Sequence, residues 1–230
     1  MRGSLRTERT TLAAVVENGV IYAIGGYSSA NGWFATMEAY DPAMNTWTTK
    51  APMPTSRRML AVAAVDGIVY AIGGQRGEDA VEAYNPVAND WSTKALMPTP
   101  RWGLTCTVVN DIIYTIGGID TSEVYRSTVE AYDPSTNTWT TKADMPTARR
   151  YLTAATVNGI IYAIGGENAS GNAISTVESY NPATDTWSTK APLTTARSVL
   201  AAVELNGIIY ALGGQDDAHT PLAIVEAYTP

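Results

Sequence analysis

The chain has 230 residues, 45% apolar and 16% charged, with a net charge of −7. That is apolar enough for a buried core, whereas the acidic balance argues against nucleic acid as a partner, since phosphate binding needs a basic surface. Cys106 is the single cysteine, which excludes an intramolecular disulfide and a Cys-based zinc site, and no apolar run approaches the roughly 18 residues of a membrane-spanning helix.

In chain order, the N-terminal "MRGSLRTERTT" lacks the apolar middle of a signal peptide, and the compartment stays open. A short apolar segment then ends at Asn18-Gly19, a dipeptide suited to a two-residue hairpin because both positions accept positive φ. "IYAIGG" follows at Ile21–Gly26, then "EAYDP" around Tyr40, whose proline cannot donate to a ladder, then "TWTTK" around Trp47. The same four segments, a to d, return down the chain. Their double glycines end at Gly26, Gly74, Gly118, Gly166 and Gly214, spaced 48, 44, 48 and 48. Tyr40, Tyr84, Tyr132, Tyr180 and Tyr228 keep that spacing, as do Trp47, Trp91, Trp139 and Trp187. The units beginning at Arg101 and Arg149 agree at 26 of 48 positions.

No segment has a sustained helical period, so the reading is all-β. A four-stranded antiparallel unit cannot bury both of its faces alone; radial packing against like units solves this and gives a β-propeller. "VIYAIGG" and "LAVAAV" are apolar on successive residues and are expected to be buried on both faces. One Phe against thirteen Tyr and six Trp suits strands with a wet edge. The repeated Glu38, Glu82, Glu130 and Glu178 on strand c are expected to pair with Lys50, Lys94, Lys142 and Lys190 on strand d, at a solvated rim.

The order of apolar strand, Asn-Gly turn, "YAIGG", "VEAYDP", "NTW" and "MPTAR" resembles the kelch repeat, in five copies over essentially the whole chain. No Gly-His or Trp-Asp pair recurs, which sets aside the WD40 propeller. The resemblance implies a β-propeller, and five copies in a chain that starts and stops within one fourth segment make the expectation a single five-bladed domain over residues 1–230. Its last blade is expected to be closed by N-terminal residues 1–8, with Arg2–Arg6 as the missing fourth strand and the protein a monomer. The rival reading is a fragment of a six- or seven-bladed ring.

In an a-b-c-d meander the b–c and d–a loops share one end, and the variable segments fall there, the pattern of a binding face on a rigid scaffold. Arg9, Arg57, Arg101, Arg149 and Arg197, one per unit, are expected to be structural, bonding loop carbonyls of a neighbouring blade. The next position varies: Thr10, Arg58, Trp102, Arg150 and Ser198. An aromatic between two arginines suits an acidic peptide or an anionic sugar. In kelch domains that capture acidic peptides, contacts come from the residue after the double glycine, here Tyr27, Gln75, Ile119, Glu167 and Gln215. A second set lies two positions beyond the loop Arg, here Thr11, Met59, Gly103, Tyr151 and Val199. None of the second set is Arg, so that specificity does not transfer. Trp33, Phe34 and Tyr125 add exposed aromatics in b–c loops.

The expectation is a non-catalytic scaffold that binds a protein, an acidic peptide or a carbohydrate, with no cofactor. Kelch-type copper oxidases need two His, and His219 is alone. A carbohydrate-processing or metal-dependent enzyme is the alternative, with Glu78, Asp79, Asp120, Glu123, Glu167, Asp216 and Asp217 as oxygen donors for a hard cation. An engineered or truncated propeller without a ligand is the second alternative. Glu204, inside an otherwise apolar first strand, is expected to face a channel or to be satisfied by water.

Overall fold

Every regular element is a β-strand in the computed structural model, which describes residues 3–230. The chain divides into two compact units, Met1–Trp102 and Gly103–Pro230. In the first unit, blade 1 is an antiparallel meander of β1 (Ala13–Glu17), β2 (Val20–Ile24), β3 (Met37–Asp41) and β4 (Thr46–Lys50). Blade 2 repeats it with β5 (Ala61–Val65), β6 (Ile68–Ile72), β7 (Val81–Asn85) and β8 (Asp90–Thr93). The second unit carries blade 3, with β9 (Thr105–Val109), β10 (Ile112–Ile116), β11 (Val129–Asp133) and β12 (Thr138–Lys142). Blade 4 has β13 (Thr153–Val157), β14 (Ile160–Ile164), β15 (Val177–Asn181) and β16 (Thr186–Thr189). Blade 5 has β17 (Ala201–Leu205), β18 (Ile208–Leu212) and β19 (Val225–Tyr228) among the described residues. The fold class is a β-propeller of five blades.

The repeated words of the sequence each have a mechanical reason. At the first hairpin Asn18 (φ 49°) and Gly19 (φ 76°) are both left-handed, which matches the twist of the paired strands β1 and β2. In the double glycine, Gly25 has φ 65°, and a Cβ there would stand 2.5 Å from the Arg57 carbonyl oxygen. The Gly26 amide donates to that same oxygen at 2.8 Å, so the glycines let one blade touch the backbone of the next. The stitch recurs from Gly74 to Arg101, from Gly118 to Arg149 and from Gly166 to Arg197.

"NTW" is a second clamp, at the other end of the blade. Tyr84 donates its hydroxyl to Asn89 Oδ1, which also accepts the Ala51 amide of the preceding blade; Trp91 Nε1 donates to the Ala51 carbonyl at 2.9 Å. Blade 4 repeats this with Tyr180, Asp185, Ala143 and Trp187. Gly3 takes the corresponding place on blade 1, bonded to Asn45 and Trp47. Gly3–Arg6 are not part of a strand, and the Met1 and Arg2 part of the expected closure lies outside the described residues.

Between blades the core is apolar. Tyr22, Ile24 and Met37 of blade 1 pack on Leu60, Val69, Ala71 and Tyr84 of blade 2. In the second unit Ala155, Val157, Tyr162, Ile164 and Val177 of blade 4 meet Leu200, Ile209 and Ala211 of blade 5. Each fully buried aliphatic side chain contributes about 1.5–3 kcal/mol. The residues of blade 5 equivalent to Ala155, Val157 and Val177 are Val203, Leu205 and Val225, all exposed.

Two expectations need correction. β6 is buried on both faces as expected, but β5, from "LAVAAV", alternates: Ala61, Ala63 and Val65 are buried, while Val62 and Ala64 are half-exposed. Val62 still packs against the core between blades 1 and 2, so the two faces of the first strand differ in degree of burial, which a run of successive apolar residues does not reveal. The Glu–Lys rim pairs do not form among the described residues. Glu38, Glu82, Glu130 and Glu178 are buried, and Glu82 and Glu178 bond the guanidinium groups of Arg57 and Arg149 at 2.6 Å. A buried guanidinium needs an anionic partner more than a half-exposed lysine does.

Candidate functional site

Four of the five repeated arginines, Arg57, Arg101, Arg149 and Arg197 of blades 2 to 5, are completely buried. Arg57 reaches into the blade it enters, where Nη1 donates to the Gly73 and Ala80 carbonyls at 2.8 and 3.0 Å and Nη2 donates to Glu82. Arg197 does the same with Gly213, Ile224, Ala211 and Glu226. In blade 1, Arg9 donates to the Thr36 and Ala23 carbonyls, with Glu38 3.5 Å away. Desolvation lowers the pKa of Arg9, Arg57 and Arg149, and the neighbouring glutamate opposes it. These side chains tie the b–c loop to the d–a loop and present no donor to a ligand.

Beside each such tie, the chain brings together the two variable positions singled out in the sequence. Backbone bridges join Thr10 to Tyr27, Arg58 to Gln75, Arg150 to Glu167 and Ser198 to Gln215. One residue follows the loop Arg and the other follows the double glycine, so each blade displays one pair of side chains on an identical frame. Ile119 and Trp102 are buried, at 1% and 8% exposure, and offer little surface.

In the first unit, Arg58 donates from Nε to Gln75 Oε1 at 2.6 Å. Its guanidinium lies 4.8 Å from the Tyr27 ring centre and 5.4 Å from that of Trp33, and those two rings meet edge to face at 5.4 Å. Arg76 stacks on Trp33 from 3.9 Å. Arg76, two residues beyond the double glycine, was not marked by the repeat, because its loop has no counterpart of equal length in the other units.

In the second unit the same frame holds a neutralised cluster. Arg150 donates to Glu167 Oε1 from Nε at 2.9 Å and lies within 2.8 Å through Nη2. Tyr125 donates to the same oxygen at 2.5 Å, and Arg150 lies over the Tyr125 and Tyr151 rings at 5.1 and 4.6 Å. Desolvation and the bond to Glu167 push the Tyr125 phenol up to about 12. Gln215 bonds His219 at 3.0 Å.

Of the loop carboxylates named as metal donors, Asp120, Asp216 and Glu78 form turns and Glu167 is paired with Arg150. Asp120 accepts the Ser122 and Val124 amides and pairs with Arg126; Asp216 accepts the Ala218 and Thr220 amides; Glu78 accepts the Arg76 amide. Among the described residues no three His, Cys, Asp or Glu converge as a metal site. Glu204 is exposed and caps its own hairpin through the Gly207 amide at 2.6 Å. Burial pushes the Cys106 thiol up to about 12, away from the thiolate a nucleophile needs. A cleft of about 320 Å³ lies at the a–b and c–d end of blades 3 and 4, and no charged side chain or histidine lines it.

A family model described as the KLHDC2/KLHL20/DRC7 Kelch-repeats domain matches residues 84–214, and a Kelch motif model matches residues 8–54 and 56–98. No curated protein matches the chain. The first model alone covers more than half of the sequence, and the double-glycine stitch and the Tyr–Asn–Trp clamp give its repeat a structural basis. The chain belongs to the kelch-repeat β-propeller family, whose domains generally mediate protein interactions.

Proposed function

We propose that this chain is a non-catalytic binding module that contacts its partner, a protein, through the b–c and d–a loop end of its blades. The observation that carries this reading is the set of bridged pairs, Thr10/Tyr27, Arg58/Gln75, Arg150/Glu167 and Ser198/Gln215. A constant backbone frame holds side chains that differ in charge and shape from blade to blade, which is how a rigid scaffold acquires specificity without changing its fold. The paired aromatics and arginines are the residue types that dominate protein interfaces. An acidic peptide or an anionic carbohydrate would use the same cations. Capture of binding partners by the immobilised chain tests the reading. Replacing Arg58 and Tyr27 together with Ala is expected to remove the captured partner, whereas Asn158→Ala at the opposite end is expected to retain it; the reverse pattern would refute the assignment.

A further inference from the structure

Resting on that reading of the binding end, we infer that the first unit carries a site for a phosphate monoester, built from Arg58 and Arg76 on the Trp33 and Tyr27 rings. Arg58 and Arg150 occupy equivalent positions and make the same backbone bridge, to Gln75 and to Glu167. In the second unit a built-in carboxylate satisfies the guanidinium through both Nε and Nη2. In the first unit the isosteric amide Gln75 accepts from Nε alone, and no carboxylate lies in ion-pair range of Arg58 among the described residues. Where one blade supplies its own anion, the other leaves the place for an anion from outside.

A second cation lies over the same indole. Arg76 is exposed and stacked on Trp33, and the nearby Glu78 is engaged with the Arg76 backbone amide rather than with its guanidinium. Both guanidinium carbons are thus within 5.4 Å of one indole ring centre. A guanidinium held over a ring face by cation–π attraction keeps its N–H donors free to form paired bonds to oxyanions. The Trp33 indole N–H is itself buried without a hydrogen-bond partner. Two uncompensated positive charges, on a chain whose net charge is −7, match a group of about −2 better than a single carboxylate.

The phosphate ester could be borne on a side chain of the partner protein or on a free small molecule. Calorimetric titration of the whole chain with phenyl phosphate, phenyl sulfate and benzoate at pH 7.5 tests the class. Phenyl phosphate is expected to bind at least about tenfold more tightly than either monoanion, and Arg58→Gln or Arg76→Gln to weaken it by about tenfold each. Gln75→Glu, which supplies the internal counter-ion of the second unit, is expected to abolish that preference while the fold is retained. Equal affinity for the three probes, or binding unchanged in Gln75→Glu, would overturn the inference. Phosphatase treatment of a captured partner separates the sources: release places the ester on the protein. Capture that is lost in Arg58→Gln although the three probes bind alike leaves the binding end standing and removes the phosphate.

Discussion

Five equivalent residues, each two positions beyond a loop arginine, share a left-handed backbone: Thr11, Met59, Gly103, Tyr151 and Val199, with φ between 52° and 63°. Their peptide groups form another stitch between blades. The Met59 amide donates to the Thr11 carbonyl at 3.0 Å, the Tyr151 amide to Gly103 at 2.7 Å and the Val199 amide to Tyr151 at 2.9 Å. A β-branched residue is poorly suited to this region because its Cβ substituents crowd the following carbonyl. Val199 is exposed, so its side chain contributes little burial to offset the strain. Val199→Gly is therefore expected to stabilise the chain by about 1 kcal/mol, read as a higher urea midpoint. A lower midpoint would mean that the left-handed backbone at this position is not strained.

Within a blade, the loop arginine and the strand-c glutamate form one internal tie. Arg57 and Glu82 are both buried, and Thr55 donates to the same carboxylate at 2.7 Å. Glu82→Ala strands a guanidinium without an anion and is expected to cost about 3–5 kcal/mol in urea unfolding. A loss below about 1 kcal/mol would show that the carbonyls suffice. The Tyr–Asn–Trp clamp offers a pH test, because blade 4 has Asp185 where blades 1, 2 and 3 have Asn45, Asn89 and Asn137. The Tyr180 hydroxyl and then the Ala143 amide hold the Asp185 carboxyl below its usual pKa, against desolvation. A depressed folded-state value contributes stability above the unfolded pKa of about 3.9, and that contribution fades as pH falls through the folded value. Asp185→Asn keeps the acceptor without the charge, so it is expected to lose less stability than the parent between pH 7 and pH 2.5. Identical acid losses would contradict this.

Across the molecule, the period of 48 residues exposed the strands, the turns and the five blades, because steric and hydrogen-bonding demands recur with each repeat. The candidate site was only partly legible. The variable positions after Arg57 and after Gly74 could be named, but that Arg58 bridges Gln75 follows from the fold. The burial of Ile119 and Trp102 and the Arg–Glu ties inside the blades were hidden for a related reason. Charge in a sequence does not say whether a partner waits in the neighbouring loop. The decisive difference is one amide for one carboxylate, Gln75 against Glu167, and it acquires meaning only when both are seen on the same frame. The most direct measurement of the central claim is hydrogen exchange of the chain with and without its captured partner. Protection concentrated in the b–c and d–a loops, around Tyr27–Trp33, Arg57–Arg58 and Gln75–Gly77, is the predicted result; protection confined to the Asn18-Gly19, Asp66-Gly67 and Asn158-Gly159 turns would contradict it.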